Sequence, residues 1–242
     1  MRIDFNYAWS VLFSEWPMFW YGIKITLLFA FVGTIGGLII GLLVGAIRGV
    51  PMDPLDSSLI KGLKKLGQFI SGVYIWIFRG TPMMVQALFL FYLLKPVLQW
   101  TPIQAGLFII SINTGAYMSE IIRSGIQSID KGQMEAAKAI GMSNFQMMMN
   151  IILPQAIKNT FPSIGNQLIV NIKDSCMLNA ISVTELYFQA SSVAGTKMKF
   201  IEIYFVTAIL YLILTTLATW ALDFFEKKMN HTLKATSKDC CS

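Results

Sequence analysis

Residues 25–47 read ITLLFAFVGTIGGLIIGLLVGAI, 23 positions without a charge. Wound as an α-helix rising about 1.5 Å per residue, they extend roughly 34 Å, enough for the hydrocarbon core of a bilayer. Residues 203–222 form a second uncharged run, of 20. Around them the 242-residue chain is 55% hydrophobic and only 13% charged, about half the charge of an ordinary globular domain. A disordered chain needs the opposite balance. The composition specifies an all-α membrane protein.

Further outward, three more stretches complete about five transmembrane helices: residues 23–47, 68–94, 102–122, 161–183 and 200–225. Between the first two, Leu59, Ile60, Leu63, Leu66, Phe69 and Ile70 recur at helical spacing among Lys61, Lys64 and Lys65. That pattern predicts an amphipathic helix at the membrane surface leading into the second span. With these spans, twelve Lys and Arg fall on one side (Arg48, Lys61, Lys64, Lys65; Arg123, Lys131, Lys138, Lys158; Lys227, Lys228, Lys234, Lys238). Four fall on the other: Arg2, Lys95, Lys197 and Lys199. The positive-inside rule then puts the N-terminus outside and the C-terminus in the cytoplasm. The same rule accounts for the net charge of +6 without nucleic acid. Asp4 and Glu15 ahead of the first apolar run do not resemble a cleaved signal peptide.

Three cysteines, Cys176, Cys240 and Cys241, form no disulfide framework. The terminal pair reads either as a lipidation site or, more plainly, as reduced thiols in the cytosol. The sole histidine, His231, lies in the same tail, which leaves no basis for a metal site or for histidine catalysis. There is no Gly-Lys dipeptide and hence no phosphate-binding loop. The chain carries no cofactor and no ATPase machinery of its own.

Several polar residues sit at membrane depth, where they are costly and normally face a cavity or a partner helix. In the fourth span Ser163, Asn166, Gln167, Asn171, Lys173 and Asp174 share one arc of a helix. Asn113, Tyr117, Glu120 and Ser124 form a similar stripe in the third. Both stripes read as a polar substrate path or as internal packing: a Lys173–Asp174 ion pair in one, a Glu120–Arg123 pair at i, i+3 in the other. If they line one path, Asn113, Tyr117, Asn166 and Lys173 share a cavity. Arg79-Gly80-Thr81-Pro82 breaks the apolar pattern. Its cation suits a carboxylate, or anchors a helix start at the interface. Gly33, Gly37, Gly41 and Gly45, four apart, allow a close helix approach, either across a dimer seam or inside one subunit.

The longest cytoplasmic segment contains a loop at residues 131–154. Lys131 to Ile140 reads as a short helix stopped by Gly141. Ser143 and Gln146 form a capping box for a second helix, which Pro154 closes. Phe145, Met142, Met147, Met148 and Met149 give this knob an adaptable apolar face for a partner groove. Glu135-Ala136-Ala137, then Gly141, then Ile151 and Leu153-Pro154, carry the seven fixed identities of a 20-residue signature. It resembles the EAA loop of permease subunits of bacterial ABC importers. Arg79-Gly80-Thr81-Pro82 with Gln86, Tyr117 with Ser119-Glu120-Ile121-Ile122-Arg123, Asn166 to Ile169, and Lys173-Asp174-Ser175 resemble stretches of the polar amino-acid subfamily.

The resemblance implies a fold similar to type I ABC importer permeases, with residues 1–242 as a single transmembrane permease domain in the bacterial inner membrane. It implies no enzyme activity in this chain: ATP and Mg belong to a partner ATPase that docks on Glu135, Ala136, Ala137, Gly141, Ile151, Leu153 and Pro154. It further implies a second permease copy or homologue and an extracytoplasmic binding protein that delivers an amino acid. Transport is expected by alternating access, with Arg79, Asn113, Tyr117, Glu120, Asn166, Lys173 and Asp174 as candidates for the substrate path. A secondary transporter or channel would explain the polar stripes but not the spacing of the loop.

Overall fold

The computed structural model describes residues 4–49 and 57–239, with side chains through Lys228. Arg2, Cys240 and Cys241, and the side chains of His231, Lys234 and Lys238, lie outside the described residues. In chain order the helices are α1 (Phe5–Ser14), α2 (Trp16–Gly49), α3 (Ser58–Gly80), α4 (Met83–Leu98) and α5 (Pro102–Gln127). Then come α6 (Lys131–Ala139), α7 (Asn144–Met147), a π turn (Met148–Ile152) and α8 (Leu153–Asp174). A 3₁₀ segment (Ser175–Ile181), α9 (Leu186–Lys197) and α10 (Phe200–Asp239) complete the chain. No strand occurs among the described residues.

Among the described residues, three helices are long and apolar enough to cross a membrane: α2, α5 and the Phe200–Lys228 part of α10. A fourth crossing arises if α3 and α4 count together, although they bend by 114° at their junction. The expected span at 68–94 is therefore two helices. Thr81 is extended (φ −126°, ψ 149°), as a residue before proline prefers, and Pro82 starts α4. The amphipathic segment predicted from Leu59 onward is the first half of α3, with Leu59, Leu63, Leu66, Phe69 and Ile70 all exposed. The expected span at 161–183 is not one helix either. Within it α8 ends at Asp174, and the 3₁₀ segment follows, closed by Ser182 in the left-handed region (φ 65°). With Lys158, Asn159, Thr160, Ser163, Asn166 and Gln167 along it, α8 is too polar to count as a crossing helix by itself.

The chain forms two compact units. The first comprises residues 1–31 and 168–242. Its core joins Ala8 and Val11 of α1, Phe19 and Ile23 of α2, Leu186, Ala190 and Val193 of α9, and Ile203 and Val206 of α10. Buried Glu185 caps α9: its carboxylate accepts from the Tyr187 and Phe188 backbone N–H groups, both at 2.8 Å, and from the Tyr211 hydroxyl at 2.9 Å. These bonds satisfy two donors at the helix start that would otherwise lack partners.

The second unit comprises residues 32–167. Here the glycines of α2 meet α5: Gly33 lies against Ile110, Gly37 against Thr114, Gly41 against Met118 and Gly45 against Ile122. A Cβ at Gly37 would come within 2.5 Å of the Thr114 methyl. The glycine stripe is thus a seam inside one subunit. Both helices repeat every four residues along it, so two nearly parallel axes approach closely over several turns. The far end of α5 packs into a second cluster with the loop: Met118, Ile122, Ile126, Ala137, Met147, Met148, Ile152 and Ala156.

Candidate functional site

The loop folds as a helical knob whose termini are set by local sequence. Asp130 caps α6 by accepting from Gly132 N–H at 2.6 Å. The helix ends in a Schellman motif: Met142 N–H donates to the Ala137 carbonyl (3.1 Å) and Gly141 N–H to that of Lys138 (3.0 Å). Gly141 has φ +81°, as its role as a helix stop requires. Ser143 and Gln146 form the predicted capping box at the start of α7. Pro154, however, does not close the second helix. The chain widens into the π turn just ahead of it and continues as α8. The wider turn relieves the clash a proline ring makes with the preceding carbonyls.

The signature residues divide between two tasks. Ala137 is buried, and Ile151 and Leu153 pack partly against the same cluster. Glu135, Ala136, Gly141 and Pro154 are exposed. The methionine face also divides. Met147 and Met148 are buried, at 1% and 4% exposure, and Met142 packs beside them. The apolar surface open to a partner consists of Ile140, Phe145 and Met149. Gln155 donates to the Gln133 side chain at 2.6 Å, tying α8 back to α6. Burial of Met147 and Ile152 contributes about 1.5–3 kcal/mol each. The knob is thereby fixed to the end of α5. Beside it lies a cavity of about 480 Å³, whose lining includes Ile126, Ile129, Met134 and Met147 together with Lys131, Glu135 and Lys138.

The break between α3 and α4 is held by side chains. The Gln86 amide donates to the carbonyls of Phe78 (3.0 Å) and Thr81 (2.9 Å), and to the Thr81 hydroxyl oxygen (2.8 Å). The Asn113 amide donates to the Gln86 side-chain oxygen at 2.8 Å. Carbonyls left without partners at the end of α3 are satisfied, and the break is pinned to α5. Asn113 is buried in this network, so it does not line the cavity next to it.

That cavity, about 300 Å³, is lined by Arg79, Tyr117, Glu120, Ile121, Ser124, Thr160, Ser163 and Gln167. Three of the sequence-predicted residues meet here: Arg79, Tyr117 and Glu120. The Arg79 guanidinium lies 5.5 Å from the Tyr117 ring centroid, in cation–π range. Glu120 takes a fork from Arg123, with Nη2 at 2.7 Å and Nε at 3.1 Å, and its other oxygen pairs with Arg48. Arg79 stands 4.0 Å from the same carboxylate. The i, i+3 pair with Arg123 is present, but it is one part of a four-membered cluster. Asn166 is exposed and outside the lining. Lys173, exposed, and Asp174, half-buried, belong to the other unit. Of the residues expected to share one cavity, Tyr117 lines this one, while Asn113 and Asn166 of the same unit do not.

Sequence reasoning missed Arg48, counted only as a loop charge, and Thr160. The spacing of Thr160, Ser163 and Gln167 (i, i+3, i+7) was a usable signal, since it places them on one helix face. No metal-binding group of acidic, histidine or cysteine side chains occurs among the described residues.

Comparison with known proteins agrees with this architecture. Residues 64–231 match the family model described as binding-protein-dependent transport system inner membrane component. The chain is 34% identical over 227 residues to the glutamine transport system permease protein GlnP of Escherichia coli K12, covering 93% of this chain and 98% of that one. It is 33% identical over 221 residues to the probable glutamine ABC transporter permease protein GlnM of Bacillus subtilis 168, covering 91% and 97%. Among solved structures, a crystal structure of an amino acid ABC transporter with histidines superimposes with a TM-score of 0.78 at 31% identity, over 94% of this chain and all of that one. With its helical architecture, EAA signature and these relatives, the chain belongs to the inner-membrane permease family of binding-protein-dependent ABC importers.

Proposed function

We propose that this chain is the permease of an ATP-driven importer for polar amino acids, with neutral side chains such as glutamine as the preferred class. The relatives named for glutamine support the substrate class, as does a cavity whose remaining polar lining is the neutral set Ser124, Thr160, Ser163 and Gln167. Arg79, half exposed and stacked on Tyr117, receives the substrate carboxylate. All of residues 1–242 act as one transmembrane permease domain, with the N-terminus outside and the C-terminus in the cytoplasm. A separate ATPase docks on Glu135, Ala136 and the Ile140–Phe145–Met149 surface. A second permease copy or homologue completes the path, and an extracytoplasmic binding protein delivers the amino acid.

The observation that carries this reading is the shared core of knob and α5. Ala137, Met147 and Ile152 pack with Met118, Ile122 and Ile126, and α5 also bears Tyr117 and Glu120 of the cavity. A displacement of the knob by the ATPase is passed to the cavity wall by rigid-body motion, as alternating access requires. The test is uptake of labelled glutamine into vesicles holding the complete complex. Uptake is expected to need ATP and to fall at least about tenfold with Arg79→Ala while the ATPase still co-purifies. ATP-independent uptake, or full activity of the variant, overturns the reading.

A further inference from the structure

We propose that Glu120 is a masked acidic subsite, and that Arg48 and Arg123 set the charge preference of the path by covering it. This rests on the reading of the Arg79–Tyr117 cavity as the substrate path. Glu120 is the one acid among the lining residues. Neither of its oxygens is left bare: one pairs with Arg48 from the end of α2, and the other takes the Arg123 fork at 2.7 and 3.1 Å. Guanidinium groups stay protonated in proteins, so three of them confront a single carboxylate and the cluster carries surplus positive charge.

Arg79 is the member without a close bond to Glu120, at 4.0 Å, and the most exposed, at 45%. Its donors remain open to a substrate carboxylate. A cationic side chain, by contrast, meets repulsion and no free acceptor of opposite sign. Discrimination against lysine and arginine thus comes from a repulsive element as much as from an attractive one. Arg48 and Arg123 are absent from the cavity lining and act through Glu120, so they are specificity-determining residues without touching the substrate.

The test uses the purified permease–ATPase complex in detergent without the binding protein, with labelled glutamine and lysine as probes. Wild type is expected to bind glutamine at least about tenfold more tightly than lysine. Arg123→Gln uncovers one oxygen and should shift that ratio toward lysine by about tenfold or more. Arg48→Gln uncovers the other and should act in the same direction, which keeps the test decisive if one variant fails to assemble. Adding Glu120→Gln to Arg123→Gln should restore the original preference, since the uncovered charge is gone. A purely structural role predicts weaker binding of both amino acids and no such reversal. Equal lysine binding by wild type, or variants that weaken both probes alike, overturns the proposal. If Arg79→Ala leaves glutamine binding intact, the cavity is not the path. If it abolishes binding while the ratio stays put in both arginine variants, only the masking of Glu120 fails.

Discussion

At the scale of single residues, polar groups in this chain act by the partners they are given. Asn113 and Glu120 lie on the same helix, and both interrupt an apolar environment. Asn113 spends its amide on the Gln86 oxygen at 2.8 Å, and Gln86 in turn closes the end of α3. In the structure it holds the break between α3 and α4. Asn113→Leu leaves the Gln86 oxygen without its buried donor, a loss of about 1–3 kcal/mol. The expected result is a lower melting temperature of the purified complex together with loss of transport. A variant that melts like wild type yet fails to transport would return Asn113 to the substrate path.

At the scale of elements, the knob depends on one backbone conformation. Gly141 has φ +81°, and nothing lies within 4 Å of where its Cβ would be. A side chain there is opposed by backbone strain alone, about 1–2 kcal/mol for most residues and more for a β-branched one. Gly141→Val should tilt α7 against α6 and displace Phe145 and Met149 from the proposed docking surface. Membrane insertion should be normal, with ATPase co-purification and ATP-driven uptake both reduced severalfold. Gly141→Asn should recover much of the loss, because asparagine tolerates the left-handed region. Wild-type coupling in the valine variant would mean that the knob does not transmit the stroke. Glu135→Ala should matter less than Gly141→Val, since an exposed charge at an interface rim contributes little.

At the scale of the whole molecule, the proposed orientation rests on the twelve-to-four distribution of Lys and Arg. Met198 and Ile140 are suitable reporters, exposed at 72% and 77% and assigned to opposite sides. In a background with Cys176, Cys240 and Cys241 replaced by serine, Met198→Cys should react with an impermeant thiol reagent added to intact cells. Ile140→Cys should react only after the cells are opened. The reverse pattern would invert the topology and detach the knob from any cytoplasmic ATPase.

What the sequence determined by itself is what short-range chemistry controls. The uncharged run at 25–47 reads as a membrane helix, because a helix satisfies its backbone in lipid and the alternative, a closed barrel, needs short strands that alternate apolar and polar. Gly141, and Ser143 with Gln146, specified their caps, because the bonds of such motifs close within five residues. Tertiary structure decided what depends on partners distant in the chain. Arg48 and Glu120 meet across 72 positions, and Asn113 and Gln86 across 27. Met147 and Met148 lie inside while Phe145 and Met149 lie outside, although all four share one apolar pattern. Pro154 sits within a helical run because a π turn absorbs its missing donor. Periodicity identifies the faces of a helix, but which face is covered, and which charge a carboxylate meets, is settled only when other helices pack against it.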